Sequence, residues 1–394
     1  MRAVTRLESA ARLLLPLIVV LTLLPYTLSS AGARQWADFG TFYRAACGPA
    51  LYTEDPDAVM LGVRYRNLSP PHFHLVLLPL CRFPIGDAFI LWTFVTVASL
   101  VAAAWIVERT ARYRWPAWAA TAAAASGATS NLVITGQVTG ALAVPLVLAW
   151  RADRQNRLWA AGLWLGVVAA IKPFFGVVVL WWMARRAWAA VAGVACAMTA
   201  SFAVGVTLYG WPNFLAWIRE LQAVSWPWAI TNASAWAPWA RAFGPSMYLT
   251  PLVDWPAVRI GGTAVTLMAV GIGTALALQR TSNRDLGWVL CLSAALLLSP
   301  LGWAYYGWWL LLLLPLVPVP PVAWLTAALT WALPSTELLL IVRSSAVLTA
   351  TLGSAYTYGL IVIWASLVAR ILWPREGRAS AVSGWAAGLV RSHR

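Results

Sequence analysis

Apolar runs recur along this chain too often, and at too great a length, for a water-soluble fold. Leu13–Ser30, Phe83–Val107, Ala117–Ile134, Ala187–Leu208, Val258–Leu278 and Val322–Ile341 each approach the roughly 20 residues a helix needs to cross the hydrocarbon core. Shorter runs lie between them: Ala141–Trp150, Leu158–Ile171, Phe174–Met183, Leu286–Leu298, Trp308–Val317 and Tyr358–Leu372. Backbone in hydrocarbon must satisfy its own polar groups, so such runs are read as helices, about twelve in all. With 61% hydrophobic residues, 10% charged residues and a mean hydropathy of +0.72, too little polar surface remains to cover a soluble globule. The expected fold is all-α and polytopic, with residues 1–378 as one transmembrane domain and 379–394 as a basic cytoplasmic tail.

Arginine sets the orientation. If the N-terminus is inside, the inner connections hold Arg109, Arg112 and Arg114, then Arg151, Arg154 and Arg157, then Arg185 and Arg186, then Arg280 and Arg284, with further arginines at both chain ends. The positive-inside rule then places both termini in the cytoplasm. The net charge of +15 acts against anionic membrane lipid, and the absence of a soluble basic domain argues against a nucleic-acid partner. The first apolar run has no small-residue cleavage site and reads as a retained anchor of a multi-pass cell-membrane protein.

Two long outer connections, from about Gly32 to His74 and from about Tyr209 to Trp255, are where function is expected. The first opens with Trp36-Ala37-Asp38-Phe39. A carboxylate at the hydrocarbon edge is costly, which makes Asp38 a candidate catalytic base. Helical spacing puts Trp36, Phe39, Tyr43 and Cys47 on one face and Asp38 on another beside Thr41, Phe42 and Ala45, so a short interfacial helix would turn Asp38 toward a cleft. Glu54, Asp55 and Asp57 read as a solvated loop, and Asp254, beside Trp255 and Pro256, is the better rival base.

Other signals are weighed with their plainer readings. Seven tryptophans crowd the second connection, either as an interfacial belt or as a groove for an isoprenoid chain or sugar ring. Among 28 basic residues Lys172 is the single lysine, either a snorkelling anchor or a compact charge for an anionic lipid headgroup. Thr135-Gly136-Gln137-Val138-Thr139 interrupts an apolar run, which is tolerable chiefly where backbone lines a cavity. Arg44, Arg64 and Arg66 read as loop charges. Cys196 and Cys291 read as core; Cys47 and Cys81 fall outside, where a disulfide is open to them. His72-Phe73-His74 lacks nearby carboxylates and reads as a loop-to-membrane transition, and no carboxylate cluster or zinc spacing suggests a metal.

Together these motifs carry a resemblance. Trp36-x-Asp38-Phe39 with Tyr43, Leu51-Tyr52, Pro70-Pro71, Leu78-Pro79-Leu80, Gly136-Gln137, Gly162-x-x-x-Gly166 before Lys172-Pro173, Asn232-x-Ser234 with Arg241, and Ser299-Pro300-x-x-Trp303-x-Tyr305-Tyr306 resemble glycosyltransferase family 87 of the GT-C superfamily. That family takes sugars from polyprenyl phosphates and includes mannosyl- and arabinofuranosyltransferases of actinobacterial envelopes. Two positions depart from its pattern, Ser69 where Tyr is common and Tyr305 where His is common, and Tyr305 calls any histidine-assisted step into question.

The resemblance implies an inverting transfer on the outer face of the membrane. Asp38 would be the base, Lys172 and Arg241 would meet the donor phosphate, and Trp36, Tyr43, Gln137, Asn232, Trp303, Tyr305 and Tyr306 would line the substrate. The implied partners are a polyprenyl-phosphate sugar donor, a glycolipid or glycan acceptor and membrane lipid, with no cofactor. The chemistry is consistent: a polyprenyl phosphate leaves as a stable monoester, so one base acting on the acceptor hydroxyl suffices. Mannose is the leading sugar and arabinofuranose the runner-up. A flippase or transporter is the alternative of another class, but it would place ionisable residues near the midplane and repeat its halves, whereas Glu108 and Glu337 sit near span ends.

Overall fold

The computed structural model describes residues 25–34, 36–52, 59–60, 63–64, 66–111, 126–224 and 226–374. Most of the Leu13–Ser30 run, part of Ala117–Ile134, the acids Glu54, Asp55 and Asp57, and the tail 379–394 lie outside these residues. The helices are α1 (25–33), α2 (Ala37–Cys47), α3 (Ile85–Ala111), α4 (Gly127–Thr135), α5 (Ala143–Arg154), α6 (Leu158–Ile171) and α7 (Val177–Ala184). They continue as α8 (Trp188–Tyr209), α9 (Trp211–Ala223), α10 (Ala237–Phe243), α11 (Pro256–Arg280), α12 (Arg284–Leu298) and α13 (Gly307–Leu313). The last four are α14 (Pro321–Ala332), α15 (Ser335–Val342), α16 (Ala346–Ala350) and α17 (Ala355–Leu372). The described strands are one two-residue ladder pairing Val59–Met60 with Val63–Arg64, so the fold is helical as expected.

Fewer helices reach spanning length than the apolar runs suggest. Among the described residues four stretches are long and apolar enough to cross a membrane: Ile85–Ala111, Trp188–Tyr209, Pro256–Arg280 and Ala346–Leu372. The pair α14 and α15, bent by 82° at its break, makes a fifth if it is taken as one span. Among the described residues four or five stretches thus meet the length and hydropathy expected of a span, beside the shorter apolar helices. Leu158–Ile171, Pro173–Ala184 and Ala304–Leu316 are apolar but short, and at 1.5 Å per residue they fall well below a 30 Å core. Proline accounts for much of this, since Pro173, Pro315 and Pro334 stand where helices stop or change form and cannot donate to the preceding turn.

Close backbone approach builds the most extensive helix pair, α6 against α8. A Cβ on Gly162 would lie 2.0 Å from the Ala190 carbonyl oxygen, and one on Gly166 would lie 2.6 Å from the Ala197 Cβ. Small residues let such helices associate where no hydrophobic force separates protein from lipid.

One end of α6 carries charge and the other carries Lys172. At the first end Asp153 is fully buried, accepts from Trp288 Nε1 at 2.9 Å and pairs with Arg185 at 3.4 Å, while Arg154 meets Asp285 at 3.2 Å. Arg284 reaches the Asp153 carbonyl and Asn156, so α5, α7 and α12 are tied together at this end. The 14 residues of α6 then separate this cluster from Lys172 by about 21 Å.

Candidate active site

The α1–α2 corner places Asp38. Trp36 and Ala37 both take positive φ, 64° and 46°, a conformation that costs an L-residue about 1–2 kcal/mol. Trp36 N–H closes on the Ala31 carbonyl at 2.7 Å, the chain turns sharply, and Asp38 emerges in the first turn of α2, where the helix dipole favours an anion. Both sides of α2 are packed. Phe39 lies against Phe89 and Trp92, and Phe42 meets Phe73 edge-on at 5.4 Å, so the helix is wedged into the protein with little surface left for lipid. A disulfide joins Cys47, at its end, to Cys81.

Gly136 brings the polar interruption to this helix. It ends α4 with φ 62°, and a Cβ there would meet the Phe39 Cβ at 2.5 Å, so only glycine permits the approach. Trp92 Nε1 donates to the Gly136 carbonyl at 2.8 Å and fixes the turn. Gln137 then donates to Asp38 through Nε2, while its own buried Oε1 has no protein partner. Lys172 stands close enough to act on the same carboxylate, and its ammonium lies 5.6 Å from the Tyr306 ring centroid.

Asp38 faces a cavity of about 220 Å³. Trp226 and Trp303 (6.4 Å between ring centroids) and Tyr305, stacked on Trp303 at 6.1 Å, form much of its aromatic wall. Asp38 is half-buried by area because one side opens to this cavity, yet protein encloses it. Burial pushes its carboxyl up to about 6, with the Gln137 hydrogen bond and the Lys172 charge pulling the other way. A carboxyl so placed takes up its charge at higher pH than a solvated aspartate does.

The residues proposed from sequence separate into three groups. Asp38, Trp303 and Tyr305 border the cavity. Gln137, Lys172 and Tyr306 stand behind Asp38, Tyr306 being stacked on Phe174 and Trp309. Trp36, Tyr43 and Asn232 do not border this cavity. Trp36 packs on Phe89, and Tyr43 donates to the Phe83 carbonyl at 2.6 Å. Asn232 joins two loops, donating to Pro300 O at 2.8 Å and accepting from Ser234 N–H at 2.9 Å.

Arg241 also lies apart from this cavity. It is fully buried in α10 and spends its guanidinium on Ala229 O at 2.7 Å, Asn232 O at 3.1 and 3.2 Å, Ser354 Oγ at 3.1 Å and Thr357 Oγ1 at 3.4 Å. It holds the loop that carries Trp226 and Trp228, and has no place in the cavity wall. The rival base Asp254 is exposed and outside the cavity. Arg66 pairs with Glu220 at 3.0 Å, and His72 and His74 bond to Ala170 O and to Asn67 and Pro71 O as posts of the first loop.

The family model of glycosyltransferase family 87 matches residues 67–300. The chain belongs to glycosyltransferase family 87. The family 87 match takes in Gln137, Lys172, Asn232 and Arg241, and Asp38 precedes it. The chain is also similar to the polyprenol-phosphate-mannose-dependent alpha-(1-2)-phosphatidylinositol pentamannoside mannosyltransferase of Mycolicibacterium smegmatis, 26% identical over 322 residues, covering 78% of this chain and 75% of that protein. No solved structure matches this family 87 chain. Membership makes it a membrane glycosyltransferase, in keeping with its apolar helices.

Sequence reasoning missed Arg34, Asn131, Ser335 and Thr336 in the wall. Arg34 reads as one loop arginine among many. Asn131 and Ser335 meet across 204 positions, a pairing with no local signature.

Proposed function

We propose that the protein transfers mannose, with inversion, from a polyprenyl-phosphate donor to a glycolipid or glycan hydroxyl on the outer face of the cytoplasmic membrane. The observation that carries this reading is Asp38 set in the wall of an aromatic cavity, with Gln137 and Lys172 behind it. The acceptor hydroxyl oxygen bonds to the anomeric carbon as its proton passes to an Asp38 oxygen. On the opposite side the bond from the anomeric carbon to the phosphate oxygen breaks, its electron pair leaving with the phosphate. The indoles of Trp226 and Trp303 offer apolar faces suited to a sugar ring or prenyl chain.

Lys172 serves the base in this scheme, favouring its ionised form, and its charge adds to the field felt by the leaving phosphate. The mannosyltransferase relative supports the choice of sugar and of a lipid-linked donor. The Cys47–Cys81 disulfide supports an outer, oxidising location for α2.

The test supplies purified protein in lipid with radiolabelled polyprenyl-phospho-mannose and, separately, polyprenyl-phospho-arabinose, together with glycolipid acceptors. Mannose in the product is the expected result. Arabinose alone would change the sugar, and neither, from active preparations of a control family member, would reject the reading.

A further inference from the structure

Four polar residues of the cavity wall are not used by the base. Arg34 follows α1, Asn131 lies in α4, and Ser335 and Thr336 form the first turn of α15. Arg34 donates to Thr336 Oγ1 at 2.9 Å, and Ser335 Oγ donates to Asn131 Oδ1 at 2.8 Å. These two bonds leave most of the Arg34 N–H groups and the Asn131 amide nitrogen without an acceptor among the described residues. Arg34, with five N–H groups, has that single hydrogen bond among the described residues. Asn131 is 6% exposed and its Nδ2 has no partner.

The backbone adds to this imbalance. At the start of α15 no side chain caps the helix, so its first N–H groups lack acceptors within it. The 82° break before Pro334 turns this helix start onto the cavity, an arrangement that suits anionic groups in membrane proteins. Glu337, the acid of that turn, is exposed and outside the wall. Arginine, an unmatched amide and a helix N-terminus together want an anion.

We propose that Arg34, Asn131 and the start of α15 form the subsite for the phosphate of the lipid-linked donor. The inference rests on the glycosyl-transfer reading and extends it to residues that the sequence motifs do not touch. In a single displacement the base and the leaving phosphate stand on opposite faces of the anomeric carbon. Both must border one cavity, as Asp38 and Arg34 do. A phosphate oxygen between Arg34 and Asn131 Nδ2 would satisfy both, and the arginine would hold the charge that gathers on the monoester as the sugar departs.

The test is binding of sugar-free polyprenyl phosphate to the full chain in phosphatidylcholine nanodiscs, read by quenching of the cavity tryptophans. Arg34→Ala should weaken binding roughly tenfold or more, as expected for loss of a charge-assisted bond, and Asn131→Ala by a few fold. Arg34→Lys should recover part of the loss, and Arg66→Ala, which removes a surface charge elsewhere, should bind as wild type. Thermal melting certifies that each variant is folded, and Thr336→Val tests the same site with Arg34 intact should Arg34→Ala not fold. Inorganic phosphate and phosphatidylglycerol should displace the probe poorly. Equal displacement by phosphatidylglycerol would reassign the site to bulk lipid and overturn the inference, as would wild-type binding by folded Arg34→Ala. Arg34-dependent binding with no transfer from polyprenyl-phospho-mannose would reject the sugar reading alone.

Discussion

Asp38 is where sequence and structure meet most directly at the scale of the residue. A carboxylate among aromatics is conspicuous in an apolar chain, so Asp38 was legible as a candidate base, whereas Arg34 was hidden among loop arginines. Asp38→Asn keeps the shape of the side chain but cannot accept the acceptor's proton. Transfer should fall by about a hundredfold or more while polyprenyl phosphate still binds, measured as single-turnover rate beside the binding assay. Because the working form is the ionised one and burial holds the carboxyl at about 6, wild-type turnover should rise as pH increases through that value and level off above it. Gln137 and Lys172 each pull the carboxyl down, so Gln137→Ala or Lys172→Met should move the rising limb to higher pH. An unmoved limb in both variants would reject their placement with the base. Tyr305, at the position where the resemblance leads one to expect histidine, lines the wall with a phenol.

At the scale of the element, the loops around the cavity are held by groups first read as substrate contacts. Polarity alone does not tell a residue that binds a ligand from one that binds backbone, and in this structure Arg241 and Asn232 bond to backbone carbonyls. Arg241→Ala strips two carbonyls and two hydroxyls of a buried charged donor, a loss on the order of 3 kcal/mol. Melting temperature should drop clearly, with donor binding and catalysis lost in proportion to unfolded protein; intact stability with selective loss of donor binding would return Arg241 to the phosphate. The disulfide between Cys47 and Cys81 closes a separation of 34 residues around the first loop, so Cys47→Ser with Cys81→Ser should cost about 3 kcal/mol, checked by melting with and without reductant. The helix breaks were the least legible feature. The pause at Lys172-Pro173 already divided two apolar runs, but hydropathy counts apolar residues and cannot show that Pro334 turns the run Val322–Ile341 into two short helices.

At the scale of the whole molecule, two chemistries occupy opposite ends of α6. The arginine-rich clamp around Asp153 gathers residues assigned to the inner side from charge alone, and Lys172 and its neighbours lie about 21 Å away along the helix. The arginine pattern thus predicts the grouping, because charges barred from the hydrocarbon collect at one boundary. Asn156→Cys should react with a membrane-impermeant maleimide only after the cytoplasmic side is opened, and Ser246→Cys should react in intact cells. The reverse labelling would invert the orientation and the outer-face reaction with it.

The α6–α8 seam also constrains how this chain can drift. At position 166 a methyl group would meet the side chain of Ala197 at 2.6 Å and also the backbone oxygen of Val194 at 2.9 Å, so glycine at 197 would clear only one of the two obstacles. At position 162 the obstacle is the backbone oxygen of Ala190, which no substitution removes. Distant homologues should therefore carry glycine at both positions, because the backbone of the facing helix, and not an exchangeable side chain alone, sets the limit there.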